Sequence, residues 1–240
     1  MRASFLGGEG GTSPYNADVA ALAPMPIAPE ESTALYRRLL TSVPDSSVTI
    51  CAIGTLTAVA QLLASGGGAH SPLNGAELVR AKVRELVCMA VVAYPDGRDE
   101  FNWIMDIPSA AFVATHWPTP LTISPHGHHV FTGARFVAAA PPGQPVREAY
   151  RRYLRAENKD RPSWDQIAAL YAVRGLSGPV ARSGDFALTV DVETGRHKWH
   201  EHSKLMNAGP RRLVLPTVPD ERLAQTIEDV MIASLAGRSA

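Results

Sequence analysis

Three apolar runs constrain this chain most strongly: Val48-Thr49-Ile50-Cys51-Ala52-Ile53, Leu86-Val87-Cys88-Met89-Ala90-Val91-Val92 and Leu121-Thr122-Ile123. None shows the strict alternation of a strand with one face in water, so each reads as a strand buried on both faces. Helical patterns lie between them. Strands of this kind joined by helices indicate an α/β fold, a mainly parallel sheet covered by helices. In such sheets ligands bind beyond the carboxyl ends of the strands, which directs attention to the loops after Ile53, Val92 and Ile123.

From Glu30 a helix is expected with Leu35, Leu39 and Leu40 inward and Arg37 and Arg38 turned away. Further helices are read over Leu56–Leu63, from Asn74-Gly75 onward with Leu78, Val79, Val83 and Leu86 inward, over Pro108–Ala114, and over Val146–Leu154 with three arginines toward water. Trp164–Val173 and the closing Asp220–Leu235 are also helical patterns, and Phe186–Val192 alternates as an edge strand does. Residues 1–30 are rich in Gly, Pro and Ala and have no regular period. The 240 residues, 45% of them hydrophobic, are enough for one domain, 1–240, with an irregular start and an α/β body over 31–240.

The 23 basic residues balance the 23 acidic ones, which leaves no field to gather nucleic acid or an anionic membrane surface. No apolar run reaches the roughly 18 residues of a membrane span, and Met1–Gly11 lacks the apolar stretch of a secretory signal. A cytoplasmic protein is expected. Cys51 and Cys88 lie inside apolar strands, as small hydrophobes do. A serine hydrolase is not indicated, because no G-x-S-x-G is present. Gly66-Gly67-Gly68 runs into Ala-His where a phosphate loop needs Gly-Lys. His126-Gly127-His128-His129, His197 and His200-Glu201-His202 offer nitrogens to zinc or nickel, but no H-E-x-x-H helix or Cys partner accompanies them. They read as exposed loop histidines.

Three segments carry the remaining chemistry. Cys51-Ala52-Ile53-Gly54-Thr55-Leu56-Thr57-Ala58 joins a strand to a helix; Tyr94-Pro95-Asp96-Gly97 precedes Glu100-Phe101-Asn102, with Asp106 before a small-residue helix; Arg161-Pro162-Ser163-Trp164-Asp165 heads a late helix. Glu100 and Asn102, two apart in an extended segment, point to one side and can hold adjacent hydroxyls. The charge of Asp165 at a helix N-terminus is favoured by the helix dipole. In order and placement these segments resemble the inosine-uridine preferring nucleoside hydrolase family, whose members cleave the N-glycosidic bond of ribonucleosides with bound calcium. The resemblance implies that Glu100 and Asn102 hold the ribose, that the Ile53 carbonyl and Asp165 are metal ligands, and that Trp164 stands where many members have a histidine. It also implies a small nucleoside or ribosyl substrate and a homo-oligomer.

The sequence departs from that pattern at the metal. Calcium takes roughly six to eight oxygens, which family members draw mainly from a first-strand D-x-D-x-x-x-D-D cluster. No such cluster exists in this sequence: the nearest acidic pairs are Asp96 with Asp99 and Asp191 with Glu193. The family's general-base aspartate goes with it, so no catalytic residue is assigned. Ala90-Val91 replaces a Gly-Gly pair, and Ala58 an amide. The Gly-rich start, Gly7–Gly11 leading to Tyr15-Asn16, resembles a loop from inside a longer member, so the first strand reads as missing from a truncated chain. Two functions remain: a nucleoside hydrolase if the acidic cluster is supplied, or an inactive, vestigial ribosyl-binding domain.

Overall fold

The computed structural model describes residues 14–22, 30–90, 96–97, 100–201 and 208–236. In chain order the elements are α1 (Pro14–Ala20), α2 (Ser32–Thr41), β1 (Val48–Ala52), α3 (Thr57–Ala64), α4 (Gly75–Lys82) and β2 (Val83–Met89). There follow β3 (Asp96–Gly97), α5 (Phe101–Ile104), α6 (Ile107–His116), β4 (Leu121–Ser124), β5 (Phe131–Thr132), α7 (Ala134–Ala139) and α8 (Pro145–Leu154). The chain ends with β6 (Arg161–Pro162), α9 (Trp164–Arg174), β7 (Val180–Arg182), β8 (Phe186–Val190), β9 (His197–Glu201), β10 (Arg211–Pro216) and α10 (Asp220–Ala236).

Two compact units make up the chain. The larger comprises Pro29–His126 with Ile167–Thr217, the smaller Met1–Ala28, Gly127–Gln166 and Val218–Ala240. The larger unit holds an 8-stranded sheet in the order β1-β2-β4-β10-β8-β9-β3, with β7 paired to β10. Pairing is parallel from β1 through β2 and β4 to β10, and antiparallel beyond. The three apolar runs thus form adjacent parallel strands, as their composition requires. One face carries the main core, where Ile50, Leu86, Leu121, Ile123 and Leu213 meet apolar residues of α2, α3, α4 and α6. On the other face, the Tyr171 hydroxyl of α9 donates to Glu85, which also accepts from Thr122.

Several expectations are corrected. Phe186–Val190 is an interior strand between β10 and β9, and the chain turns at once afterwards, with Asp191 accepting from Glu193 and Thr194. The helix from Asn74 ends at Lys82, so Val83 and Leu86 belong to β2; its start is a capping box between Asn74 and Glu77. Val91 and Val92 lie outside the described residues. Arg37 is turned inward, where it donates to Ser65 Oγ and the carbonyls of Ser71 and Leu73 and so fixes the α3–α4 loop. Within 1–30, read as irregular, Pro14–Ala20 is the helix α1; in the smaller unit it packs on α8, where Asp18 pairs with Arg152.

β10 had no counterpart in the sequence reading, because its opening Arg211-Arg212 resembles a surface segment. Arg211 is fully buried. Its guanidinium donates to the Ala114 carbonyl at 2.8 and 3.0 Å, to the Trp117 carbonyl at 3.1 Å and to that of Gly209. Burial pushes its pKa down to about 10. The negative end of the α6 dipole offsets part of the charge. Replacing Arg211 by Ala strands these carbonyls without donors. We expect a stability loss on the order of 3 kcal/mol, read as a lower urea midpoint at pH 7, with Arg211→Lys recovering only part of it.

Candidate functional site

The carboxyl ends of β1, β2 and β4 line up in the larger unit. Ala52 pairs with Cys88 and Cys88 with Ile123, so Ile53, Met89 and Ser124 fall in the next row. Ile53 lies just past β1 with its side chain 48% exposed. Burial pushes the Cys88 thiol up in pKa, which makes it a core residue and not a nucleophile.

The segment after β2 differs from the extended one expected. Glu100 is the N-cap of α5, and its buried carboxylate accepts from Asn102 N at 3.1 Å and Trp103 N at 2.8 Å. Asn102 is therefore in the first helical turn. Its Nδ2 donates to the Met89 carbonyl at 3.1 Å and contacts Met89 Sδ at 3.2 Å, which ties it to the end of β2. Short polar caps override alternation here, because the first amides of a helix need acceptors. Glu100 and Asn102 are still joined in one turn beside the strand ends. Tyr94, Pro95 and Asp99 lie outside the described residues.

Asp106 caps α6 by accepting from Ser109 N at 3.3 Å, and it accepts from the Thr57 hydroxyl, which also meets Thr55 Oγ1 at 3.2 Å. Burial raises its pKa, but the bonds from Thr57 and Ser109 outweigh this and hold the carboxyl below its usual value. The loop after β1 is thereby latched to the start of α6. Sequence reasoning identified Asp106 but missed Thr57 as its partner. It also missed Ser124, whose only sequence signal is a hydroxyl closing an apolar strand.

In the smaller unit, Asp165 lies in the first turn of α9. Burial raises its pKa against the pull of Arg161. Next to it, Trp164 packs on Gly127, which has φ +142° and where a Cβ would lie 2.6 Å from Trp164 Cα. The His128 ring centroid is 6.0 Å from the Trp164 ring, and Ser163 N donates to the Gly127 carbonyl at 3.2 Å.

Among the described residues no group of three His, Cys, Asp or Glu side chains is arranged to hold a metal ion. His128 and His129 are exposed in a turn as expected. His197, by contrast, is buried on β9 against the Trp103 ring, and His200 bonds Thr189. Sheet packing, invisible in a His-rich stretch, accounts for the difference. His202 lies outside the described residues. No helix among the described residues is long and apolar enough to cross a membrane.

No family model matches the sequence, and no curated protein matches it. Solved structures do. A purine-preferring ribonucleoside hydrolase from Gardnerella vaginalis superposes with a TM-score of 0.61 at 14% identity, over 89% of this chain and 69% of that one. The inosine-uridine preferring nucleoside hydrolase of Bacillus anthracis gives 0.56 at 15%, over 87% and 67%. The type III effector XopQ, solved with adenosine diphosphate ribose, gives 0.58 at 17%, over 85% and 65%. This chain thus spans about two thirds of the length of these structures. With its mostly parallel sheet and helical cover superposing over nearly nine-tenths of its length, the chain has the nucleoside hydrolase fold.

Proposed function

We propose that this chain is a nucleoside hydrolase-like domain that holds the ribose of a nucleoside or related ribosyl compound through Glu100 and Asn102. It hydrolyses the N-glycosidic bond where an acidic cluster beyond the residues present here supplies a cation's ligands and a general base. The observation that carries this reading is the capped turn holding Glu100 and Asn102 at the carboxyl end of β2, in a fold shared with nucleoside hydrolases. Rupture of the bond builds positive charge on the sugar, and a carboxylate and an amide on the ribose side are suited to that charge.

Calcium is not accommodated by the residues in hand. Calcium takes roughly six to eight oxygens, and neither the Ile53 carbonyl nor the Asp165 carboxylate has a cluster of acidic side chains with it among the described residues. This favours the second reading, a ribosyl-binding domain without turnover. The adenosine diphosphate ribose in the XopQ structure also supports that reading, since it shows a ribosyl ligand on a related fold.

Calorimetry with calcium separates the two. Tight binding, abolished by Asp165→Ala, would overturn this ligand count and favour turnover by the chain itself; no heat at millimolar calcium leaves the binding reading. A pH series tests the burial of Asp165. Its folded pKa is raised, so the native state binds the extra proton, and stability falls as pH rises from the unfolded value of roughly 3.9 through the folded one. Asp165→Asn should therefore raise the melting temperature at pH 7, with the gain vanishing below that unfolded value; a loss at pH 7 would contradict the assignment. Trp164 governs any turnover, because an indole has no proton to give a departing base at neutral pH. Hydrolysis of p-nitrophenyl riboside should outpace that of inosine by at least about tenfold, and comparable rates would exclude this role.

A further inference from the structure

Ser124 closes β4 with its side chain fully buried, and among the described residues its hydroxyl has no hydrogen-bond partner. Two residues earlier on the same strand and face, Thr122 is equally buried, but its hydroxyl donates to Glu85. The sheet therefore satisfies one buried hydroxyl and leaves the other, at the end where ligands bind, without a bond. Such a group is costly to bury, and an alanine would fill the space without that cost.

The surroundings point to what satisfies it. Ser124 and Met89 are register partners on parallel strands, so their side chains leave the sheet on the same face. Met89 is half-buried and takes the Asn102 amide on its carbonyl and its sulfur. A thioether is a weak acceptor on a flexible side chain. Asn102 Oδ1 accepts no hydrogen bond among the described residues. Met89 is thus both the register partner of the residue with the unbonded hydroxyl and the residue to which the Asn102 amide, with its open oxygen, is bonded.

Resting on the ribosyl reading above, we infer that Ser124 is a ligand-binding residue for a vicinal diol. The Met89 thioether turns aside, one ribose hydroxyl bonds Ser124 Oγ, and its neighbour donates to Asn102 Oδ1. The two residues then grip adjacent hydroxyls from adjacent strand ends, and the unbonded hydroxyl of the free protein is completed by the ligand.

Calorimetry with inosine and with adenosine diphosphate ribose tests this on the whole chain. Ser124→Ala should bind each at least about tenfold more weakly, while the free variant melts no lower than the wild type because an unbonded buried hydroxyl has been removed. Wild type and variant should bind 2′,3′-dideoxyinosine equally, since it lacks the diol, whereas a purely structural role for Ser124 would weaken all three ligands alike. Should Ser124→Ala fail to fold, Ser124→Cys, with a similar volume and a weak donor, should show the same ordering. Wild-type binding with unchanged affinity in the variant overturns the Ser124 assignment and leaves the ribosyl reading standing. No binding of any of these compounds by the wild type overturns both.

Discussion

Arg211 sits on β10, the strand at which parallel pairing gives way to antiparallel, and its guanidinium is committed to the carbonyls of Ala114, Trp117 and Gly209. A buried charge with no carboxylate beside it among the described residues is tolerable only where dipoles surround it, and the unsatisfied end of α6 supplies them. Gly209 comes so near the next loop that a Cβ there would lie 2.1 Å from the Thr119 carbonyl, so the segment entering β10 has one tight path. That path sets the pairing of β10 with β4, and β4 carries Ser124. The geometry of the strand ends thus depends on an interaction on the opposite side of the sheet.

The parallel half of the fold was legible because it rests on composition: Val48–Ala52, Val83–Met89 and Leu121–Ser124 are apolar enough to need cover on both faces. The antiparallel half was not. β9 reads His-Lys-Trp-His-Glu and β10 opens on two arginines, and no pattern rule places such residues in an interior strand. Their burial comes from partners far off in the chain, Trp103 for His197 and the end of α6 for Arg211. Arg37 makes the same point within α2, where helical periodicity assigned it to solvent and three acceptors from residues 65–73 draw it in.

At the candidate site, the identities of Glu100 and Asn102 were legible and their conformation was not. Spacing of two in a strand and capping of a helix both put them near one another, and only the backbone decides between the two. Four residues of helix suffice to turn Glu100 inward as a cap. Ser124 escaped notice for a different reason: a serine after three apolar residues looks like the polar end of a strand, and its lack of a bond is a property of the packed structure alone.

Caps and latches between side chains and backbone hold this region together. Glu100 bonds two amides of α5, Asp106 bonds α6 and the Thr57 hydroxyl, and Asn102 bonds the Met89 carbonyl. The turn after β2 and the loop after β1 are therefore set by backbone requirements that remain whatever happens to the metal chemistry. The fold can then persist at 14–17% identity although this sequence has no first-strand aspartate cluster. The carboxylate and amide that face the sugar in the proposed function are the same groups that hold the loop, so selection for folding alone would retain them. Ser124 is different, since no cap or latch needs its hydroxyl, and its fate under substitution separates a site kept for a ligand from one kept only for the fold.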